Sequence, residues 1–179
     1  MERIQVHDKI FRPLIPQEKI EAAIEALAGK INAEYRAETE PPLFIVILNG
    51  AFMFAAQLFK HLDFPCEICF VKLASYEGLH SQGSVRELIG LNAEFEGRKV
   101  VIVEDLVDTG RTVNYIRDKL LKSGASEVEV ACLLLKAGAE RAGFPIRFGA
   151  MEAGDEFIIG YGFDYNGLGR NLKDIYVIE

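Results

Sequence analysis

A chain of 179 residues, half of them hydrophobic, is long enough for one well-cored domain with at most a small appended subdomain. Its formal charge of -7 at pH 7 excludes the basic footprint of a sequence-independent nucleic-acid binder. No run approaches the roughly 20 apolar residues of a membrane span, the first residues lack the apolar core of a signal peptide, and three cysteines suit a reducing compartment, so no membrane partner and a cytoplasmic location are expected.

Ile4-Gln5-Val6-His7 alternates like a short strand before Pro13 and Pro16 break the pattern. Pro16 suits a helix start, and Ile20, Ile24, Leu27 and Ile31 mark one face of a helix that must end before Pro41-Pro42. Leu43 to Leu48 is a continuous apolar run, the signature of a buried parallel strand. Asn49-Gly50 turns it into the apolar helix Phe52 to Phe59, completing one strand-helix unit. Cys66-Glu67-Ile68-Cys69 spells C-x-x-C but lies on a strand running to Leu73, where positions three apart face opposite ways. Neither metal nor redox chemistry follows from it, and His7, His61 and His80 show no ligand spacing. Residues 74 to 85 form a Ser- and Gly-rich loop of a length that is often functional.

The chain is organised around Val100 to Thr112. A β-branched run ends in Glu104, Asp105 and Asp108 and in a Gly flanked by Thr109 and Thr112. Val113, Ile116 and Leu120 then recur at helical spacing, which puts Arg111-Thr112 at a helix N-terminus. Free backbone N–H groups, the positive helix end, a permissive Gly110 and two hydroxyls make a cradle for one phosphate. Carboxylates beside a phosphate repel it unless sugar hydroxyls, cations or a metal intervene, so the pattern points to a sugar phosphate.

Ser123-Gly124 closes that helix, and Val128 to Leu135 is another buried strand with Lys136 at its exit. In an open parallel sheet Asn49, Asp105 and Lys136 should then face one crevice at the strands' carboxyl ends. Ile146, Phe148 and Ala150 alternate as a further strand. Phe157 to Asn166 nearly spells the dinucleotide G-x-G-x-x-G, but Tyr165 stands at the third glycine and no helix begins at the glycines.

The run Glu104-Asp105-Leu106-Val107-Asp108-Thr109-Gly110-Arg111-Thr112 closely resembles the phosphoribosyl-diphosphate signature of the type I phosphoribosyltransferases, in the form of their hypoxanthine-guanine branch. Ser75-Tyr76, Lys136, Phe157 to Asp164 and Gly169-Arg170 add separate points of resemblance from about Leu43 to the C-terminus. The resemblance implies an α/β parallel sheet core flanked by helices, a single domain over residues 1–179, and a small hood from about 1–15 and 152–179. It implies purine salvage: transfer of 5-phosphoribosyl from phosphoribosyl diphosphate to hypoxanthine and/or guanine, giving IMP or GMP and pyrophosphate.

The same resemblance assigns roles. Asp108 is the general base, residues Asp108 to Thr112 (Thr109, Gly110 and Arg111 among them) hold the 5′-phosphate, and Glu104 and Asp105 meet the ribose hydroxyls. Asn49-Gly50, in a loop that carries a non-proline cis peptide in the family, and Arg170 contact pyrophosphate. Lys136 reads the purine 6-oxygen, Phe157 stacks on the base beside Ile158, and Ser75-Tyr76 lies on a mobile loop over the site. Mg²⁺ is the implied cofactor, near Glu104, Asp105 and Asp164, and a homo-oligomer, dimer or tetramer, is implied as well. Three departures stand out: Asn49 where many relatives have Lys, Glu156 where Lys is common in some, and Leu168-Gly169 in place of bulkier residues. A non-catalytic regulator binding phosphoribosyl diphosphate would share the signature, but this acidic chain offers no nucleic-acid surface.

Overall fold

The computed structural model describes residues 2–75, 85–89, 94–137, 143 and 145–179. In chain order the elements are β1 (Ile4–Val6), β2 (Lys9–Ile15), α1 (Gln17–Tyr35), β3 (Leu43–Leu48), α2 (Phe52–Lys60), β4 (Glu67–Ser75) and β5 (Val85–Ile89). They continue with β6 (Lys99–Val107), α3 (Arg111–Lys122), β7 (Glu127–Lys136), β8 (Phe148–Ala153), β9 (Ile158–Ile159) and β10 (Ile175–Ile178).

The larger sheet has the order β5-β4-β3-β6-β7-β8, parallel throughout except for antiparallel β5 at its edge. Both faces are covered, which is why the central strands read as unbroken apolar runs. Phe44, Val46, Val101 and Val103 pack into a cluster with Ile20, Ile24, Leu27 and Ile31 of α1 and Phe54 and Leu58 of α2. Leu43, Ile45, Val100 and Ile102 point the other way, onto Val113, Ile116 and Leu120 of α3. Burial of each of those α1 side chains stabilises the fold by about 1.5–3 kcal/mol. The two CxxC cysteines divide between these faces, Cys66 with the first cluster and Cys69 with the second, and all three thiols are free. Because α2 follows β3 on one face and α3 follows β6 on the other, the neighbouring β3 and β6 mark the switch point where a crevice must open at their carboxyl ends.

A second sheet, β1-β2-β10-β9, joins the two ends of the chain around Phe11, Ile159 and Tyr176. Pro13 does not end the N-terminal strand as its chemistry suggested. It lies inside β2, beyond the reach of β1, whose partners stop at Phe11, so on that side β2 is already an edge and needs no N–H there. Pro16 offers no side-chain cap to α1; the buried Asp174, from the other end of the chain, accepts a hydrogen bond from Gln17 N at 2.8 Å and replaces it. Ile146 falls outside β8, which begins at Phe148 where pairing with Ala131 of β7 starts. Among the described residues no helix is long and apolar enough to cross a membrane.

Candidate active site

β6 carries its ladder past the apolar run. Glu104 still pairs with Cys132, and Leu106 and Val107 pair with Leu134 and Leu135, so Glu104 and Asp105 lie within the strand while Asp108 falls just past its end. Glu104 is 7% exposed, and its carboxyl is pushed well above the usual range, first by burial and then by the charge of Asp105 beside it. Both carboxylates fold back onto the chain: Asp105 N donates to Glu104 Oε1 and Leu106 N to Asp105 Oδ1, each at 3.1 Å.

The turn from β6 into α3 has Gly110 as its N-cap at φ 73°, and Asn114 N closes the first helical turn on the Gly110 carbonyl at 2.8 Å. A residue with a side chain is strained in that left-handed conformation. A cavity of about 100 Å³ sits there, bounded by Glu104 and residues 106–113. Among the described residues no side chain caps α3, so its first N–H groups face this cavity ready for an anion.

Two further cavities flank it. One of about 260 Å³ has apolar walls including Leu106 of β6 and Ile158 of β9, with Lys136, Lys19, Glu152 and Glu156 as its charged lining. Lys136 Nζ lies 3.7 Å from Asp108 Oδ2, the lysine mostly buried and the aspartate open, so one ion pair joins this cavity to the phosphate cradle. The other, of about 440 Å³, is bounded by Leu48, Asn49, Phe52 and residues 167–171. The Leu48–Asn49 peptide is cis, one bond before the Asn49-Gly50 bond itself. A Cβ on Gly50 would fall 1.7 Å from Asp105 Oδ2, which shows how closely the turn after β3 abuts the acids of β6. Arg170 is braced there, with Nη1 donating to the Gly162 carbonyl at 2.6 Å and Nη2 paired with Asp164 at 2.5 Å.

The crevice thus gathers Asn49, Gly50, Glu104, Asp105, residues 108–112 and Lys136 from three adjacent strands, with Ile158 and Arg170 from the C-terminal segment. Phe157 stands just outside, 47% exposed, with its ring packed against Phe11 and Tyr165. Ser75 ends β4 opposite Val85. Tyr76 and the rest of the Ser- and Gly-rich loop lie outside the described residues. Among the described residues no three His, Cys, Asp or Glu side chains converge as a ready-made metal cage. Asp164 is engaged by Arg170 and by Gly167 N, apart from the Glu104–Asp105 pair. That pair still suits a hard cation: two oxygen ligands crowded together, one of them buried, are relieved by divalent charge. Sequence reasoning missed Lys19 and Glu152 as lining of the second cavity, because neither belongs to a motif and only packing of α1 and β8 around the crevice brings them there.

This is the crevice of a phosphoribosyl-transferring protein. The phosphoribosyl transferase domain family matches residues 14–166, and the chain belongs to it. Its curated relatives include the hypoxanthine-guanine phosphoribosyltransferases of Aquifex aeolicus, 32% identical over 98% of both chains, and of Bacillus subtilis, 34% identical over 97% of this chain and 95% of the relative. Among solved structures, Trypanosoma cruzi hypoxanthine phosphoribosyl transferase superposes with a TM-score of 0.87 at 31% identity, covering 98% of this chain and 95% of that one. A hypoxanthine phosphoribosyltransferase from Staphylococcus aureus superposes at 0.85 with 30% identity, covering 94% and 91%.

Proposed function

We infer that this chain is a purine-salvage enzyme that transfers 5-phosphoribosyl from phosphoribosyl diphosphate to hypoxanthine or guanine, forming IMP or GMP and releasing pyrophosphate. The observation that carries this reading is the Lys136–Asp108 pair at 3.7 Å, which sets a donor for a purine 6-oxygen beside a carboxylate for its N7 proton, at the edge of a phosphate cradle.

The 5′-phosphate sits on the N–H groups at the start of α3, with the hydroxyls of Thr109 and Thr112, and this fixes the ribose. Glu104 and Asp105 accept hydrogen bonds from the two ribose hydroxyls. They also favour the positive charge that grows on the sugar as the bond at C1′ breaks. Pyrophosphate lies over the backbone of Asn49-Gly50, and Arg170, whose guanidinium is already braced, meets its developing charge. The purine occupies the cavity between Leu106 and Ile158 and stacks on Phe157, the residue before Ile158. Asp108 takes the N7 proton as N9 attacks, and Lys136, a donor only, selects an oxo group over an amine at position 6. Glu104 and Asp105 would hold Mg²⁺, with Asp164 joining them only on leaving its pair with Arg170, and the ion would supply charge neutralisation for the leaving pyrophosphate.

The reading includes a single domain with the small sheet as its hood, a cytoplasmic location and a homo-oligomer, dimer or tetramer. The test is incubation with phosphoribosyl diphosphate, Mg²⁺ and each purine separately, following nucleotide formation. IMP and GMP are expected and AMP is not; no nucleotide from either 6-oxopurine would overturn the reading.

A further inference from the structure

Asp164 and Arg170 stand at the two ends of a tight turn, inside which Tyr165 and Leu168 bond to each other in both directions at 2.9 and 3.1 Å. Across its neck Arg170 Nη2 meets Asp164 Oδ1 at 2.5 Å, and Gly167 N donates to Asp164 Oδ2 at 2.7 Å, so both carboxylate oxygens are engaged. Arg170 Nη1 donates to the Gly162 carbonyl, and both charged side chains are more than two-thirds buried. Among the described residues lining the 440 Å³ cavity, Arg170 is the only one that carries a charge. The cation of that cavity is therefore already neutralised by a carboxylate.

We propose, taking this cavity as the pyrophosphate subsite of the reading above, that Asp164 masks Arg170 so that the cavity takes a diphosphate complexed to a divalent cation and refuses the metal-free anion. A metal-free diphosphate approaching Arg170 meets a guanidinium whose charge is cancelled and a carboxylate that repels it. Partial burial shields this repulsion from salt. A divalent cation gives the Asp164 oxygens a different partner. Once the carboxylate turns to it, Arg170 keeps its bond to Gly162 and presents its full charge to the cavity. One ion pair is exchanged for two, and neither half-buried charge is left alone. With either ligand by itself, one member of the pair loses its opposite charge. Affinity for the cation and affinity for the diphosphate are thus coupled through Asp164 and Arg170, and the coupling is reciprocal.

The experiment has two arms, each with a single ligand, so that complexes formed in solution between metal and diphosphate do not enter. Calorimetric titration of pyrophosphate into the full chain in excess EDTA compares wild type with Asp164→Asn, which keeps an acceptor for Gly167 N but carries no charge. Metal-free pyrophosphate should bind the variant about tenfold more tightly. Electron paramagnetic resonance of Mn²⁺ with the protein alone compares wild type with Arg170→Gln, in which Asp164 is released, and Mn²⁺ should bind the variant about tenfold more tightly. A pair that only holds the turn together predicts the opposite, weaker binding of both ligands. Asp164→Ser and Arg170→Met repeat the two arms for a variant whose thermal melting shows that it does not fold. Unchanged or weaker binding in either arm, in a folded variant, overturns the proposal, and the transferase reading stands if wild type still binds pyrophosphate in excess Mg²⁺. A wild type that binds pyrophosphate neither with Mg²⁺ nor without it overturns the subsite and the proposal together.

Discussion

A methyl group on Gly162 would lie 2.0 Å from the carbonyl oxygen of Gly50. The C-terminal segment therefore meets the turn after β3 backbone to backbone, at a residue with φ 105°. That contact seats the wall carrying Arg170 against the wall carrying Asn49, with the 440 Å³ cavity between them.

Two glycine substitutions should separate packing from chemistry. Gly162→Ala places its methyl on rigid backbone in a left-handed conformation, so the urea midpoint should fall by an amount worth about 3 kcal/mol or more. The three atoms nearest to a Cβ on Gly50 all belong to the side chain of Asp105, held by a hydrogen bond from Leu106 N and able to swing away at the cost of that bond. The stability of Gly50→Ala should change by less than about 1 kcal/mol, while KM for phosphoribosyl diphosphate rises roughly tenfold as a ribose ligand is displaced. Equal stability losses in the two variants would contradict the geometry.

Asp108→Asn keeps the size of the side chain and the phosphate cradle but removes the proton acceptor. Turnover should drop on the order of 10²-fold or more with little change in donor binding. Stopped-flow nucleotide formation and equilibrium donor binding decide it together; near-normal turnover would dismiss Asp108 as the base.

Lys136→Met should weaken hypoxanthine and guanine alike, by a few kcal/mol in a dry pocket, because the donor proposed for the 6-oxygen is lost. Isothermal titration with IMP and GMP measures it. Normal binding of both nucleotides would return Lys136 to the role of a partner for Asp108 alone.

Tyr35 and Tyr161 provide a pH test remote from the chemistry. The Tyr35 hydroxyl is buried with no hydrogen-bond partner among the described residues, and burial, followed by the charges of Glu127 and Glu129, raises its pKa above the ordinary 10.0. Tyr161 is pushed up to about 12, again chiefly by burial. A raised pKa means the folded state retains a proton that the unfolded chain gives up, so stability is full below pH 10 and is lost as pH rises above it. Tyr35→Phe should add about 1 kcal/mol at neutral pH by removing an unsatisfied polar group, and should blunt the alkaline loss. Among Tyr35, Tyr161, Tyr165 and Tyr176, all raised, the first two should ionise last in an ultraviolet titration. Early ionisation of both, or a less stable Tyr35→Phe, would contradict this account.

The local grammar of the chain was legible before any coordinates. Period-2 and continuous apolar runs placed β3, β6 and β7, and 3.6-residue spacing placed α1 and α3, because burial of side chains at regular intervals imposes those periods. Gly110 announced the turn into α3 because few residues adopt φ 73° at low cost. What depended on tertiary structure was whatever joins residues far apart along the chain. Pro13 reads as a strand breaker until β10 pairs with one side of β2 and β1 stops short on the other. The start of α1 has no local cap and takes one from Asp174, 157 positions away. Glu104 reads as the open mouth of a strand until β7 extends the ladder beside it and buries it. The Lys136–Asp108 and Arg170–Asp164 pairs, and the placing of Lys19 and Glu156 on one cavity, follow from strand order and the docking of the small sheet. Periodicity along a chain carries no information about which strand lies beside which; that is decided by the free energy of covering both faces of one sheet at once.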